Sequence, residues 1–157
     1  MTTSQKKILI IDDSLVVLKA LSGLLQARGY KAFTAQDASV ALLTVRREIP
    51  DLILLDINFP LDVGSGGGLG WDGFQIMGWL RRTDEAKEVP IIIITSDDPA
   101  KFKVQCRASD VVGCFRKPVD HAELLATIRK TLEERAGKNH PLMESPGGQE
   151  NATAPGV

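Results

Sequence analysis

Apolar residues in this chain gather into short uniform runs at residues 8–11, 52–55 and 91–94, built almost wholly of Ile and Leu. Each run is too short for a helix and lacks the alternation of a half-exposed strand, so each predicts a parallel strand buried on both faces. Residues 30–34 and 111–115 are weaker strand candidates, expected nearer the sheet edges. Helical patterns lie between them. From Ser14, a fair N-cap, Leu15, Leu18, Leu21, Leu24 and Leu25 recur at helical spacing until Gly29 stops the run. Asp37 is expected to cap a second helix that runs through Arg47 and is ended by Pro50. A third helix is predicted over 74–82 and a fourth over 99–107, with Pro99 at a tolerated first-turn position. Asp120 and Glu123 form a capping-box-like pair ahead of Leu124, Leu125, Ile128 and Leu132. Strands alternating with helices predict five βα units wound around one parallel sheet.

Composition narrows the setting. The 157 residues suit one domain, expected over 6–135 after a flexible start at 1–5. Beyond Arg135 the text turns to Gly, Pro and polar residues without a period, which predicts a disordered tail over 136–157 with a solvated His140. Hydrophobic content of 43% and charged content of 25% are ordinary for a soluble globular protein. A net charge of −1 gives no electrostatic footprint for nucleic acid. No apolar run approaches the ~20 residues of a membrane span, and no signal-peptide pattern opens the chain, so a cytoplasmic protein is expected. Cys106 and Cys114, the only cysteines, are expected to be reduced thiols with packing roles.

The candidate chemistry sits where the apolar runs stop. The first ends at Asp12 and Asp13, the second at Asp56, the third at Thr95 and Ser96, and the last strand candidate leads through Arg116 into Lys117 and Pro118. Carboxylates at the carboxyl ends of buried parallel strands converge above one sheet edge, where open α/β folds place their sites. Three carboxylates crowded together repel one another, and a hard divalent cation such as Mg²⁺ relieves that repulsion. A plainer reading makes each Asp a helix cap after a strand, but it leaves Thr95 and Lys117 unexplained.

Acid pair, lone Asp, Thr and Lys-Pro in this order resemble the receiver domain of two-component response regulators, over about residues 6–135. The resemblance implies a doubly wound, flavodoxin-like (βα)5 sheet and a phosphoryl group accepted on Asp56. It implies Mg²⁺ held directly by Asp13 and Asp56, by the Asn58 carbonyl, and by Asp12 through water. Thr95 would hydrogen-bond a phosphoryl oxygen, Lys117 would pair with another, and the bond before Pro118 would be cis. The donor would be a histidine kinase or histidine phosphotransfer protein, and the output a changed affinity for a downstream protein. A phosphatase of the haloacid dehalogenase type is the alternative that also uses an aspartyl-phosphate, but Asp12–Asp13–Ser14 does not supply its DxD arrangement.

Two departures stand out. Pro60 and Gly73 match residues usual in receivers, but a glycine-rich insertion separates them at about 61–72, in which Trp71 offers an apolar anchor for a lid or a partner contact. Gly68 to Gly73 formally matches GxGxxG, yet a dozen loop residues part it from the preceding strand, which argues against a dinucleotide site. The second departure is Cys114, which stands three residues before Lys117 where receivers usually carry a switching aromatic. Phe115 is expected to face the opposite side of the sheet, which puts the usual Thr–aromatic switch in question.

Overall fold

A computed structural model describes residues 4–58, 73–108 and 111–138. Five strands form one parallel sheet: β1 (Lys7–Ile11), β2 (Lys31–Ala35), β3 (Leu52–Asp56), β4 (Ile91–Thr95) and β5 (Val111–Arg116). Their order is β2-β1-β3-β4-β5. The chain steps from β1 outward to β2, then returns across β1 to β3. That reversal leaves a crevice above the carboxyl ends of β1 and β3. The doubly wound fold expected from the sequence is the fold observed.

The three uniform runs occupy the three central strands, and β3 and β4 are buried along their whole length. Alternate residues supply two cores. On one face Leu9, Ile11, Ile53, Leu55, Ile91 and Ile93 meet α2 (Ala38–Glu48) and α3 (Gly73–Leu80). On the other, Ile8, Ile10, Leu52, Leu54, Ile92 and Ile94 meet α1 (Leu15–Ala27) and α5 (His121–Lys138). Each fully buried Ile or Leu is worth roughly 1.5–3 kcal/mol relative to exposure, so these strands carry most of the stabilisation that holds the crevice in place.

Local chemistry sets the boundaries. Ser14 Oγ accepts from the Val17 amide at 3.3 Å and starts α1; Gly29, at φ 88°, ends it. The Tyr30 amide donates back to the Leu25 carbonyl at 3.1 Å, so Tyr30 closes the helix and β2 begins at Lys31, one residue later than expected. Asp37 Oδ1 accepts from the Val40 amide at 2.8 Å, and α2 runs to Glu48. Ile49 then turns left-handed at φ 47°, because Pro50 bars it from continuing the helix. The third helix starts at Gly73 and stops at Leu80, short of the expected Arg82. Arg82 and Thr83 instead make turn bonds to the carbonyls of Trp79 and Leu80.

The expected helix over 99–107 divides into a 3₁₀ turn (Pro99–Phe102) and α4 (Lys103–Ala108). Asp98 explains the division: its carboxylate takes the Ala100 amide at 3.0 Å and its carbonyl takes the Lys101 amide at 3.0 Å, which tightens the first turn. The Asp120 carboxylate accepts from the Glu123 amide at 3.1 Å, and α5 continues to Lys138, past the Arg135 boundary expected from composition. The glycine-rich stretch 61–72 with Trp71, and His140 with the rest of the chain after 138, lie outside the described residues.

Gly73 fixes how β3 joins α3. Its amide donates to the Ile57 carbonyl at 2.6 Å, and a Cβ built on it would stand 2.7 Å from both the Asp56 carbonyl oxygen and the Ile57 Cα. Backbone cannot yield as a flexible side chain can. Gly73→Ala is therefore expected to destabilise the domain by about 1–3 kcal/mol, as overpacking does. Chemical denaturation beside Gly78→Ala, where the added Cβ meets nothing within 4 Å, checks this.

Candidate functional site: an acidic crevice closed by a lysine

Every residue at the crevice is delivered by the end of a buried strand. Asp12 follows β1, and its amide extends the ladder by donating to the Ala35 carbonyl at 3.1 Å. Asp56 is the last residue of β3, Thr95 the last of β4. Lys117 follows β5 and is tied to the neighbouring strand by its amide, which donates to the Thr95 carbonyl at 2.7 Å. The Lys117–Pro118 bond is cis, as the resemblance implied.

The carboxylates are deeply placed. Asp12 is 2% exposed and Asp56 4%, whereas Asp13 and Asn58 lie at the surface. One carboxylate oxygen each from Asp12, Asp13 and Asp56 lie within 4.8 Å of one another. Lys117 Nζ donates to Asp12 Oδ2 at 2.8 Å and to Asp56 Oδ2 at 3.3 Å. Backbone amides take the remaining oxygens: Ser14 donates to Asp12 Oδ1 and Asn58 to Asp56 Oδ1, each at 2.9 Å. Thr95 is fully buried, and its hydroxyl oxygen accepts from the Asp97 amide at 3.0 Å. Ser96, a minor rival for the same role, is exposed.

Charge does not balance here. Burial pushes the Asp56 carboxyl above its ordinary value, and the charge of Asp12 pushes the same way; the Asn58 amide and Lys117 oppose them without cancelling them. Burial by itself would lower Lys117, but the hydrogen bond to Asp12 and the charges of Asp56 and Asp12 outweigh it and raise the ammonium's proton affinity. Lys117 thus bridges two buried carboxylates, with a third beside them. Hard oxygen donors, clustered and under-neutralised, are the donor set a small divalent cation prefers, so the residues present fit Mg²⁺.

The crevice brings together Asp12, Asp13, Asp56 and Lys117, and Thr95 ends the neighbouring strand, its carbonyl bonded to the Lys117 amide. Sequence reasoning missed that Lys117 pairs more closely with Asp12 than with Asp56. Cys114 packs on the side of α2 and α3, while Phe115 packs on the side of α1 and α5, as expected from their alternation.

Stability should report the charge conflict. A carboxyl with raised proton affinity favours folding below its unfolded pKa, near 3.8, and that contribution is lost as pH rises through the folded value. Asp56→Asn is thus expected to melt higher than the parent at pH 7 without metal, the gap shrinking as pH falls toward 3.8 or as Mg²⁺ is added. Lys117→Met is expected to act oppositely and cost about 2 kcal/mol. A fully buried pair would lose 3–5, but the Lys117 side chain is 22% exposed. Thermal melts of the three proteins across pH check both signs.

Comparison with known proteins covers the same residues. The family model for the response regulator receiver domain matches residues 8–129. PilH of Pseudomonas aeruginosa is 32% identical over 126 residues, spanning 80% of this chain and 97% of PilH. The response regulator PleD of Caulobacter vibrioides is 31% identical over 123 residues, spanning 78% of this chain but only 25% of PleD. Among solved structures, the chemotaxis response regulator CheY4 of Vibrio cholerae superposes with a TM-score of 0.69 at 29% identity, covering 82% of this chain and 99% of CheY4. Sequence, fold and relatives agree over one continuous stretch, and the chain belongs to the response regulator receiver family.

Proposed function

We propose that this receiver accepts a phosphoryl group on Asp56 from a histidine kinase or histidine phosphotransfer protein and thereby changes its affinity for a protein partner. The observation that carries this reading is the posture of the Asp56 carboxylate. Its Oδ1 is held by the Asn58 amide and its Oδ2 by Lys117, and only 4% of the residue is exposed, at the floor of the crevice. A carboxylate fixed in one orientation pays little further entropy to reach in-line geometry with phosphorus. In transfer from a phosphohistidine, an Asp56 oxygen forms the new O–P bond while the P–N bond breaks, and the departing imidazole takes up a proton.

The remaining side chains have complementary tasks. Lys117 already spans Asp12 and Asp56, so oxygens arriving on Asp56 give it a second, stronger anion to pair with. The Thr95 hydroxyl accepts from Asp97 through its oxygen, which leaves its hydrogen to be donated to a phosphoryl oxygen. Mg²⁺, held by Asp13, Asp56 and the Asn58 carbonyl with Asp12 reaching it through water, would supply charge neutralisation for the transferring group.

A protein donor fits the rim. Val16 is 78% exposed and Leu15 56%, both in the first turn of α1 immediately after Asp13. A groove beside them runs past Lys117 and is lined by Val16, Val17, Ala20, Pro118 and Val119. This apolar shoulder gives a helix of a donor protein something to bury, which a small phosphate ester would not need.

Incubation with acetyl phosphate and Mg²⁺, followed by intact-protein mass spectrometry, tests the assignment. The parent is expected to gain one hydroxylamine-labile phosphoryl group and Asp56→Asn none. Equal labelling of the two proteins would place the acceptor elsewhere.

A further inference from the structure

A groove of about 400 Å³ opens at the amino-terminal edge of the sheet, opposite the acidic crevice. The last turns of α5, the turn before β4 and the start of β5 enclose it. Two arginines pin its floor. Arg135 Nη1 donates to the Glu88 carbonyl at 2.6 Å, and Arg81 Nη1 donates to the Val89 carbonyl at 2.6 Å. Such charge-assisted bonds fix each guanidinium in one posture. Arg135 has no carboxylate partner among the described residues, and Lys87 reaches Asp84 only at 3.7 Å. The other wall is apolar. Ile91 pairs with Val111, but Ile92 pairs with Gly113, so Val112 is bulged out of the ladder and is 44% exposed. It lines the groove with Val89 and Pro90. An apolar wall beside a fixed cation suits an apolar side chain followed closely by a carboxylate.

We propose that residues 142–144 of this same chain bind the groove, with Leu142 and Met143 against Val112 and Pro90 and the Glu144 carboxylate on Arg135. The chemistry of the three residues matches the walls. Leu142 and Met143 are adjacent large apolar residues in a stretch otherwise made of Gly, Pro and polar residues, and Glu144 follows them directly. Reach is sufficient. The helix α5 ends at Lys138, three residues past Arg135. Pro141 cannot continue an α-helix, and an extended chain from Lys138 to Leu142 spans about 13–14 Å. Thr131, at the far side of the groove, lies only about 10 Å back along the helix. Glu88 and Glu134 also line the groove, but Arg81, Lys87 and Arg135 outnumber them.

Tethering decides between this segment and the same segment of a second copy. A short linker holds its end at an effective concentration of about a millimolar, so a weak contact is occupied within one chain long before it is occupied between two. Bound in this way, the segment covers Val112 and ties the end of α5 to the bulge of β5, the strand that leads to Lys117. Any protein that docks on Val112 must first displace it. This is independent of whether Asp56 accepts phosphoryl.

The test uses the full chain with carbon-13 in the Val, Leu and Met methyl groups. Nuclear Overhauser contacts are expected from the Met143 methyl to the Val112 methyls, and they should persist on dilution. The double variant Leu142→Ser, Met143→Ser should lose them and shift the Val112 methyl signals. Glu144→Gln should lower the bound fraction about threefold, the scale of one exposed ion pair, and move the Val112 signals part of the way to those of the double variant. None of these substitutions touches the sheet or its helices, and unchanged amide signals from β1 and β3 confirm the fold. Identical Val112 signals in the parent and the double variant would overturn the proposal. Contacts found only between labelled and unlabelled copies, or a Glu144→Gln spectrum identical to the parent's, would overturn it equally.

Discussion

The contact on which the rest depends is the bridge from Lys117 Nζ to Asp12 and Asp56. Two carboxylates that are nearly out of water stand close together, with a third at the surface beside them. Removing a carboxylate from water costs several kcal/mol, and nothing in the apolar strands beneath returns that energy. Lys117 returns part of it. Its own position is set by the last rung of the β4–β5 ladder, and it reaches across to the ends of β3 and β1, so its placement depends on the alignment of four strands. The site is thus a result of the whole sheet, although each side chain sits at the end of a single strand.

The core permits this arrangement. Ile and Leu buried on both faces of β1, β3 and β4 make the strand ends rigid enough to hold like charges together, and the backbone amides of Ser14 and Asn58 hold one oxygen each in place. The conflict that remains has a use. Anything that brings positive charge to the crevice, or spreads the charge of Asp56 over more oxygens facing Lys117, changes the local balance by more than the same change would in water. On the proposed function, metal and phosphoryl would each act on this same balance.

Much of this was legible in the chain, for identifiable reasons. Uniform Ile and Leu runs mark central strands because only a two-sided burial needs them, and an acid directly after such a run has nowhere to go but the sheet's carboxyl edge. Ser14, Asp37 and Asp120 marked helix starts because their side chains satisfy amides three residues on. Other features could not be read. Asp98 split the fourth helix through competing carboxylate and carbonyl bonds, which a periodic pattern does not show. A long flexible lysine chooses between two acceptors by packing, so its preference for Asp12 was invisible. The bulge at Val112 lies in the pairing of two strands rather than in either one.

Lys117 and the Asn58 amide leave Asp56 under-neutralised in the metal-free domain. Following the side-chain carboxyl carbon of Asp56 by NMR through a pH titration, with and without Mg²⁺, measures this at the atom concerned. The expected midpoint lies above 3.8 without metal and moves down when Mg²⁺ is added. A metal-free midpoint at or below 3.8, unmoved by Mg²⁺, would show that Lys117 and the Asn58 amide already satisfy the carboxylate and would contradict the account.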